Sequence, residues 1–280
     1  IMSSDWSSDV CSSDLRPTFK EISPVLQIDY LGSDQFIGNN NLKLSELKNY
    51  DMRVEYMPTA ATFLSASYFY KTITMPIEYA TVPIAQAPYV QPFNFPSGWL
   101  EGYEVEARQD IGKWHRWFDG LSVRLNGTFI ESEVEVPEEL PETGKALAGD
   151  SIGLNGQVIA STRDMKGTPE YLFNAGITYD IRATGTQLNL FYTQKGDTLI
   201  AGEGNSQNGY FADVYAKEHG ELNVGVSQRL GDHWKLTFRA KNLLNPDIET
   251  VYRSRYIGGE AVKTSYTKGI EYSLSITGEF

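Results

Sequence analysis

Residues 269–280, "GIEYSLSITGEF", separate into two faces when every second residue is read. One face carries Ile270, Tyr272, Leu274, Ile276, Gly278 and Phe280, and the other carries Glu271, Ser273, Ser275, Thr277 and Glu279. Because successive side chains of a strand point to opposite sides, this alternation predicts a β-strand with one apolar and one polar face. A chain with such a strand must place the apolar face against a core or against lipid.

The same alternation recurs from Tyr50 onward, and nine such strands can be counted with the last one. None of their apolar faces carries a charge, although 21% of all residues are charged. The pattern predicts an all-β fold, an antiparallel up-and-down meander. A soluble sandwich would give the same alternation with its apolar faces buried. The other apolar faces are Tyr50/Met52/Val54/Tyr56, Leu64/Ala66/Tyr68/Tyr70, Tyr103/Val105/Ala107, Leu121/Val123/Leu125/Phe129, Tyr171/Phe173/Ala175/Ile177/Tyr179, Leu188/Leu190/Tyr192, Leu222/Val224/Val226 and Trp234/Leu236/Phe238/Ala240.

The composition narrows the class of protein. No apolar run approaches the roughly 18 to 20 residues that a membrane helix needs. A net charge of −12 argues against nucleic acid as a partner, because phosphates call for a basic surface. Cys11 is the only cysteine, so neither an intrachain disulfide nor a thiolate metal cluster can form.

Short and long connections alternate between the predicted strands. "MPTAA", "DIRATG" and "LGDH" are short turns, "DIGKWHRWFDG" is a longer one, and residues 75–97, 134–166, 197–220 and 244–268 are long loops. In a meander this puts all short turns at one end and all long loops at the other, which is typical of outer-membrane barrels. Tyrosines at both ends of the apolar faces suit the aromatic girdles of such barrels. Four long structureless loops would be unusual in a compact soluble domain.

Residues 1–15, "IMSSDWSSDVCSSDL", differ from the rest because they are rich in Ser and Asp and show no structural period. The run from Asp5 to Leu15 resembles the translation of a sequencing-library adapter. The alternative is a disordered N-terminal tail. On either interpretation Trp6 and Cys11 carry no function. We therefore interpret residues 1–15 as foreign or disordered and residues 16–280 as the domain, in a chain that is truncated at its N-terminus.

Several stretches of residues 16–280 resemble the C-terminal half of TonB-dependent outer-membrane receptors. "RPTFKEISP" is similar to the family's Arg-Pro strand end, and "GNNNLKLSELKNYDMRVEY" to its entry into a strand. "SASYFYKTI", "GYEVEA", "LNGTFIESE", "MKGTPEYLFNAGITYD" and "FRAKNLLN" follow in the family's order. Asn40 or Asn41 stands where proline is usual, and Ser45 replaces a frequent proline before Glu46. Neither departure threatens the fold.

The resemblance implies about half of a 22-stranded transmembrane barrel, with the N-terminal plug domain and first strands absent. It implies an active transporter, not an enzyme, that imports a scarce ligand such as a siderophore, vitamin or oligosaccharide. The plug would gate the pore and contact the TonB complex. Outer-membrane lipid and lipopolysaccharide would surround the barrel of a Gram-negative bacterium. No cofactor and no catalytic residue are expected, and the isolated fragment would leave sheet edges unsatisfied in lipid.

The C-terminal residues carry a further expectation from the family. Tyr272, Leu274, Ile276 and Phe280 resemble the signal that the barrel-assembly machinery reads, although Gly278 stands where a larger residue is usual. Counting the connections backward places the C-terminus on the short-turn side, which is predicted to be periplasmic.

Two rival functions fit part of the same sequence pattern. A passive porin or a barrel adhesin would show the same alternation and loops, but the full gene would lack the plug and its energy-coupling segment. A secreted β-rich hydrolase or carbohydrate-binding domain would be soluble without detergent. The identity of the ligand does not follow from these motifs.

Three short motifs match functional patterns in letters only. "GDSIG" fits G-x-S-x-G with Ser151 as nucleophile, but no strand–turn–helix context surrounds it. "LPETG", residues 140–144, lacks the apolar segment and basic tail of a sortase signal. "GEGNSQNG", residues 202–209, has the wrong spacing for a dinucleotide loop and no helix after it.

The histidines and an acidic run are candidate metal ligands. His115, His219 and His233 are far apart and lie in or beside turns or loops, which favours surface polar residues over ligands. The acidic run extends into the longest loop. It could bind Ca²⁺, either by itself or with the ion bridging to lipopolysaccharide phosphates. A solvated loop face is the preferred interpretation. The acidic run comprises Glu131, Glu133, Glu135, Glu138, Glu139 and Glu142.

Overall fold

The computed structural model describes residues 3–29, 34–82, 88–113, 116–138, 160–206, 209–256 and 258–278. Its helical elements are the α-helix α1 (Phe19–Ile22) and two 3₁₀ turns, Ile111–Lys113 and Arg116–Phe118. Within these ranges no helix is long and apolar enough to cross a membrane. The strands, in chain order, are β1 (Ser3–Leu15), β2 (Leu26–Gln27), β3 (Gln35–Ile37), β4 (Ser45–Thr59), β5 (Thr62–Thr74), β6 (Ile77–Val82), β7 (Tyr89–Asn94), β8 (Ser97–Asp110), β9 (Leu121–Glu135), β10 (Thr162–Arg163), β11 (Tyr171–Ile181), β12 (Thr186–Lys195), β13 (Thr198–Ala201), β14 (Gly204–Ser206), β15 (Gly209–Phe211), β16 (Asp213–Ala216), β17 (His219–Leu230), β18 (Trp234–Lys241), β19 (Asp247–Arg253), β20 (Glu260–Thr267) and β21 (Glu271–Gly278).

One large sheet, here called the wall, contains the long strands. Their order is β1-β4-β5-β8-β9-β11-β12-β17-β18-β21, each antiparallel to its neighbour, and β10 adds a short pair to β9. From β4 onward every wall strand pairs with the next wall strand along the chain. The predicted all-β antiparallel meander is therefore confirmed, and its nine predicted strands are the nine from β4 to β21.

The register of the wall shows that the predicted apolar faces belong to one surface. Tyr103 lies opposite Tyr68 on one side and Phe129 on the other. Leu190 lies opposite Ile177 and Val224. Directly opposite residues of an antiparallel pair share a face. The apolar residues of neighbouring strands therefore meet on one outward face, and the polar residues form the inward face.

Charges on the outward face stand only near the long-loop end of the wall. Glu101 lies opposite Glu131, one step beyond the aromatic row that contains Tyr103 and Phe129. The Tyr68 hydroxyl donates to Glu101 Oε2 at 2.5 Å. The outward face thus has an uncharged band that ends at a row of aromatic rings, as the lipid-facing surface of a barrel does. The outward charges of the wall are Asp14, Glu46, Lys48, Glu101, Glu131, Glu133 and Glu135.

Three of the four long connections are folded, which corrects the prediction that they are structureless, and most of the fourth, residues 134–166, lies outside the described residues. Residues 75–97 contain β6 and β7, residues 197–220 contain β13 to β16, and residues 244–268 contain β19 and β20. Together with β2 and β3, which precede β4, they build the sheets β2-β3-β7-β6 and β13-β16-β19-β20 and the hairpin β14-β15. These strands are mostly short, so few alternations mark them in the sequence. We call this assembly the loop layer.

The hydrophobic core of the described chain lies mainly in the loop layer. Phe93, Phe95 and Val82 are at most 1% exposed and pack with the wall residues Ile73 and Val134. Wall side chains such as Tyr103 and Leu274 remain 60% and 68% exposed. An open sheet presents both faces outward, so burial concentrates where loops stack on one another. The loop layer is therefore a packed unit that rests on the long-loop end of the wall.

Residues 3–15 form strand β1 along the edge of β4, where the sequence predicted a foreign segment or a disordered tail. The register sets like charges opposite each other, as in Asp9 with Asp51 and Asp14 with Glu46, which is destabilising. The edge of β4 offers backbone groups that accept any extended segment, whatever its side chains. Backbone pairing explains the strand, and the foreign origin of residues 1–15 stays a prediction.

Candidate functional site

The two sheets of the loop layer are joined through Gly202. Its amide donates to Tyr79 O at 3.1 Å, and its carbonyl accepts from the Thr81 amide at 3.4 Å. A Cβ on Gly202 would lie 0.8 Å from an Arg163 guanidinium nitrogen. Glycine is therefore required here, because backbone and guanidinium occupy the space of any side chain.

Arg163 and Glu78 form a buried ion pair beneath this joint. Arg163 Nη2 lies 3.3 Å from Glu78 Oε2 and donates to Tyr79 O at 3.1 Å. The side chains are only 8% and 2% exposed. The Lys166 amide donates to both carboxylate oxygens of Glu78, at 3.1 and 3.2 Å. Burial raises the pKa of Glu78, and the Arg163 charge opposes that rise.

Helix α1 docks on the same region through its capping box. Thr18 and Glu21 cap each other reciprocally, with Glu21 Oε2 accepting from the Thr18 amide at 2.7 Å. The Tyr79 hydroxyl donates to Glu21 Oε1 at 3.0 Å, and Lys166 Nζ lies 3.6 Å from the same oxygen. Lys166 Nζ also lies 3.4 Å from the centre of the Tyr79 ring. The segment "RPTFKEISP" is thus tied to the loop layer by a charged and aromatic cluster.

A cavity of about 250 Å³ opens between the two loop sheets. Lys20 Nζ lies 4.9 Å from the Phe36 ring centre and 2.7 Å from Asp29 Oδ2. Lys263, on the other side, forms an ion pair with Asp34. Two cations, two carboxylates and aromatic rings therefore surround this cavity. Its lining residues are Lys20, Asp29, Asp34, Phe36, Tyr79, Val90, Ile200, Ala201, Val214, Thr250, Lys263 and Thr264.

Two carboxylates, Glu203 and Asp213, approach each other at the neighbouring hairpin. Glu203 is 3% exposed, forms an ion pair with Arg255 and accepts from the Tyr210 hydroxyl at 2.5 Å. Its amide donates to Asp213 Oδ1 at 2.7 Å. Burial, and then the charge of Glu203, raise the pKa of Asp213 to about 6. Arg163 and Arg255 oppose this rise.

The raised pKa makes the loop layer sensitive to pH. Because the folded pKa of Asp213 lies above its ordinary value of 3.8, its contribution to stability is full below pH 3.8 and is lost as pH rises through about 6. The whole effect of the shift is on the order of 3 kcal/mol, of which about 1.4 kcal/mol develops between pH 5 and pH 8. Amide-exchange protection factors of β16 in the full-length receptor should be higher at pH 5 than at pH 8, and Asp213→Asn should remove most of this difference. Equal pH dependence in both proteins would contradict the assignment.

The inward face of the wall is a polar lattice. Arg53 Nε donates to Glu55 Oε1 at 2.7 Å, and Arg108 Nε to Glu106 Oε1 at 3.0 Å. Further along, Asn126 Nδ2 donates to Glu104 Oε1 at 2.8 Å. Such a surface suits water or a polar partner inside a barrel.

The residues of the predicted assembly signal and of the short motifs do not come together in one site among the described residues. Tyr272, Leu274 and Ile276 line the outward face of β21, 62% to 68% exposed, while Phe280 lies outside the described residues. The assembly signal stays a prediction. Ser151, "LPETG" and His115 also lie outside the described residues. Where it is described, "GEGNSQNG" forms the hairpin β14-β15, with Gly204 packed against Thr81 O.

The candidate metal ligands are dispersed among the described residues. His219 begins β17, with Nδ1 3.3 Å from Lys217 O, and His233 lies in the turn before β18. Glu131, Glu133 and Glu135 lie on the outward face beyond the aromatic row, whereas Glu139 and Glu142 lie outside the described ranges. No group of three His, Cys, Asp or Glu able to hold a metal ion occurs in the part of the chain that the structure describes.

A family model described as "TonB dependent receptor-like, beta-barrel" matches residues 13–243, well over half of the chain. The chain belongs to this TonB-dependent receptor family. The family comprises non-enzymatic transporters of the Gram-negative outer membrane. A search of curated proteins finds no match.

Solved TonB-dependent receptors share the fold of this chain. A ferric enterobactin receptor of Pseudomonas aeruginosa in complex with enterobactin matches with a TM-score of 0.59 and 16% identity over 99% of this chain and 38% of that one. A siderophore receptor of Acinetobacter baumannii matches at 0.54 and 13%, over 99% and 39%. The FrpB iron transporter of Neisseria meningitidis matches at 0.52 and 14%, over 86% and 31%. The chain thus spans less than two fifths of these receptors.

The sequence does not predict that Glu78 and Arg163 form a buried ion pair. It does, however, indicate that Glu78 is buried. Glu78 shares a face of β6 with Ala80 and Val82, which are both 0% exposed. A carboxylate on an otherwise apolar face of a strand indicates a buried partner. Nothing in the spacing, however, indicates that this partner is Arg163.

Proposed function

We infer that this chain is the C-terminal part of the barrel of an outer-membrane active transporter that imports an iron–siderophore complex. Membership of the receptor family carries the inference. The names of the similar solved receptors, which include a ferric enterobactin receptor and an iron transporter, support iron–siderophore over vitamin or oligosaccharide. The cavity between the loop sheets, with its cations and aromatic rings, supports a ligand site in the loop layer.

The orientation follows from the same proposal. The long-loop end with the loop layer faces the exterior, and the short turns and the C-terminus face the periplasm. A plug encoded upstream closes the lumen and contacts the TonB complex.

The barrel-assembly machinery reads the terminal strand through Tyr272, Leu274, Ile276 and Phe280. Substitution of Phe280 by Asp in the full-length receptor should lower its amount in the outer membrane, and an unchanged amount would refute the signal.

A ligand panel tests the transport proposal. Purified full-length receptor is titrated with ferric enterobactin, cyanocobalamin and a malto-oligosaccharide, and whole cells are assayed for uptake of ⁵⁵Fe. We expect saturable binding of the ferric siderophore alone and iron uptake that stops when TonB is deleted. Binding of the vitamin or sugar alone would contradict the ligand class. Uptake that continues without TonB would favour a passive porin.

A further inference from the structure

Three cations cluster on the inward face near the short-turn end of the wall. Arg229 lies directly opposite Lys235, and Arg239 follows on the same face of β18. All three side chains are exposed. Like charges directly opposite each other in a sheet are destabilising. The arrangement therefore costs stability unless an anion lies between the charges.

The described residues supply no such anion. Elsewhere on the inward face, Arg53, Arg108 and Lys241 each pair with a carboxylate within 4 Å, whereas Arg124 and Lys195 lack such a pair among the described residues. In the part of the chain that the structure describes, Arg229 and Lys235 have no carboxylate within this distance, and Arg239 has none either. Two carboxylates lie nearby but beyond ion-pair distance: Asp232 borders a cavity that all three cations share, and Asp180 borders a second cavity with Arg229 and Lys235.

The cations border a cavity of about 560 Å³, and Arg229 and Lys235 also border a second one of about 260 Å³. Hydroxyl groups also line the larger cavity. Thr237 lies opposite Ser275, and Thr277 lies opposite Lys235. Guanidinium, ammonium and hydroxyl groups are the donors that bind carboxylates and phosphates. The volume is that of a small-molecule site.

We propose that Arg229, Lys235 and Arg239, with the hydroxyls of Thr237, Ser275 and Thr277, form a binding site for a free oxyanion of the phosphate or carboxylate class. Around the larger cavity three cations outnumber one carboxylate, Asp232, so an anionic group is the ligand that offsets the charge. The site lies at the opposite end of the wall from the loop layer. It therefore stands independently of the siderophore proposal, and either can fail alone.

Inorganic phosphate is the probe for this site. Purified full-length receptor in detergent is titrated calorimetrically at constant ionic strength. Phosphate should bind the native receptor, and the double substitution Arg229→Gln/Lys235→Gln should weaken binding at least tenfold. Lys195→Gln, which removes an inward cation of β12 at the long-loop end, serves as the matched control and should change affinity less than twofold. Absence of phosphate binding to the native receptor, or equal binding to the double variant, would overturn the proposal.

Two further measurements separate a free anion from an acidic group of the receptor itself. Without phosphate, Lys235→Gln should melt at the same temperature as the native receptor or higher, because repulsion is relieved. A lower melting temperature would assign the cations to a protein carboxylate and overturn the proposal. Glu279 follows Thr277 on the same sequence face and lies outside the described residues. Glu279→Gln should leave phosphate affinity within twofold, and a several-fold rise would identify Glu279 as the partner instead.

Discussion

Arg163→Ala should unfold the loop layer while the wall remains intact. The substitution removes the cation that faces Glu78 and leaves a buried carboxylate with only the Lys166 amide as donor. Breaking a buried pair in this way costs about 3–5 kcal/mol. Arg163 also lies 5.1 Å from the Phe95 ring centre, so packing is lost as well. Amide exchange in β6 and β13 of the full-length receptor should accelerate by two or more orders of magnitude, with β12 unchanged.

Two comparisons isolate the charge from the lost packing. Glu78→Gln combined with Arg163→Ala should restore part of the protection, because the unpaired charge is then absent. The single variant should also recover at acidic pH, since the raised pKa of Glu78 means that the protonated form is the better buried one. Lys48→Ala breaks an exposed pair with Glu46 and should cost less than about 1 kcal/mol. Unchanged exchange in β6 of Arg163→Ala would show that the pair does not hold the layer together.

Leu190→Arg should destabilise the receptor far more than Asn189→Arg, one residue away. Leu190 lies on the outward face between Ile177 and Val224, where an arginine at mid-membrane costs about 2–4 kcal/mol. Asn189 lies on the polar inward face, and its loss removes one hydrogen bond from Thr178, worth about 1 kcal/mol. Urea midpoints of the receptor refolded into lipid vesicles measure both effects. Equal losses would contradict the outward assignment of Leu190.

The wall was predictable because each of its strands repeats a period of two over many residues. Tyr103 and Phe129 were placed on apolar faces from separate strands, and the register then set them opposite each other. The edge pairing of β1 left no such pattern, because it rests mainly on backbone pairing and several of its side chains oppose like charges.

The loop layer was not predictable for two physical reasons. Strands such as β3 and β13 have three and four residues, too few to show a period. Its central contact joins Glu78 and Arg163, which are 85 positions apart, and sequence spacing does not encode such a distance. A charge on an apolar face, as at Glu78, marks that a partner exists but not where it lies.

We expect the outward face of the wall to contact lipid and the inward face to contact an aqueous lumen. Single spin labels at positions 187 to 193 of β12, in the full-length receptor in lipid vesicles, measure these contacts most directly. Collision with oxygen should be greatest at Leu188, Leu190 and Tyr192, and collision with a polar relaxation agent should be greatest at Gln187, Asn189 and Thr193. Greatest oxygen collision at Gln187, Asn189 and Thr193, or no alternation along the strand, would contradict the assignment of the lipid-facing side.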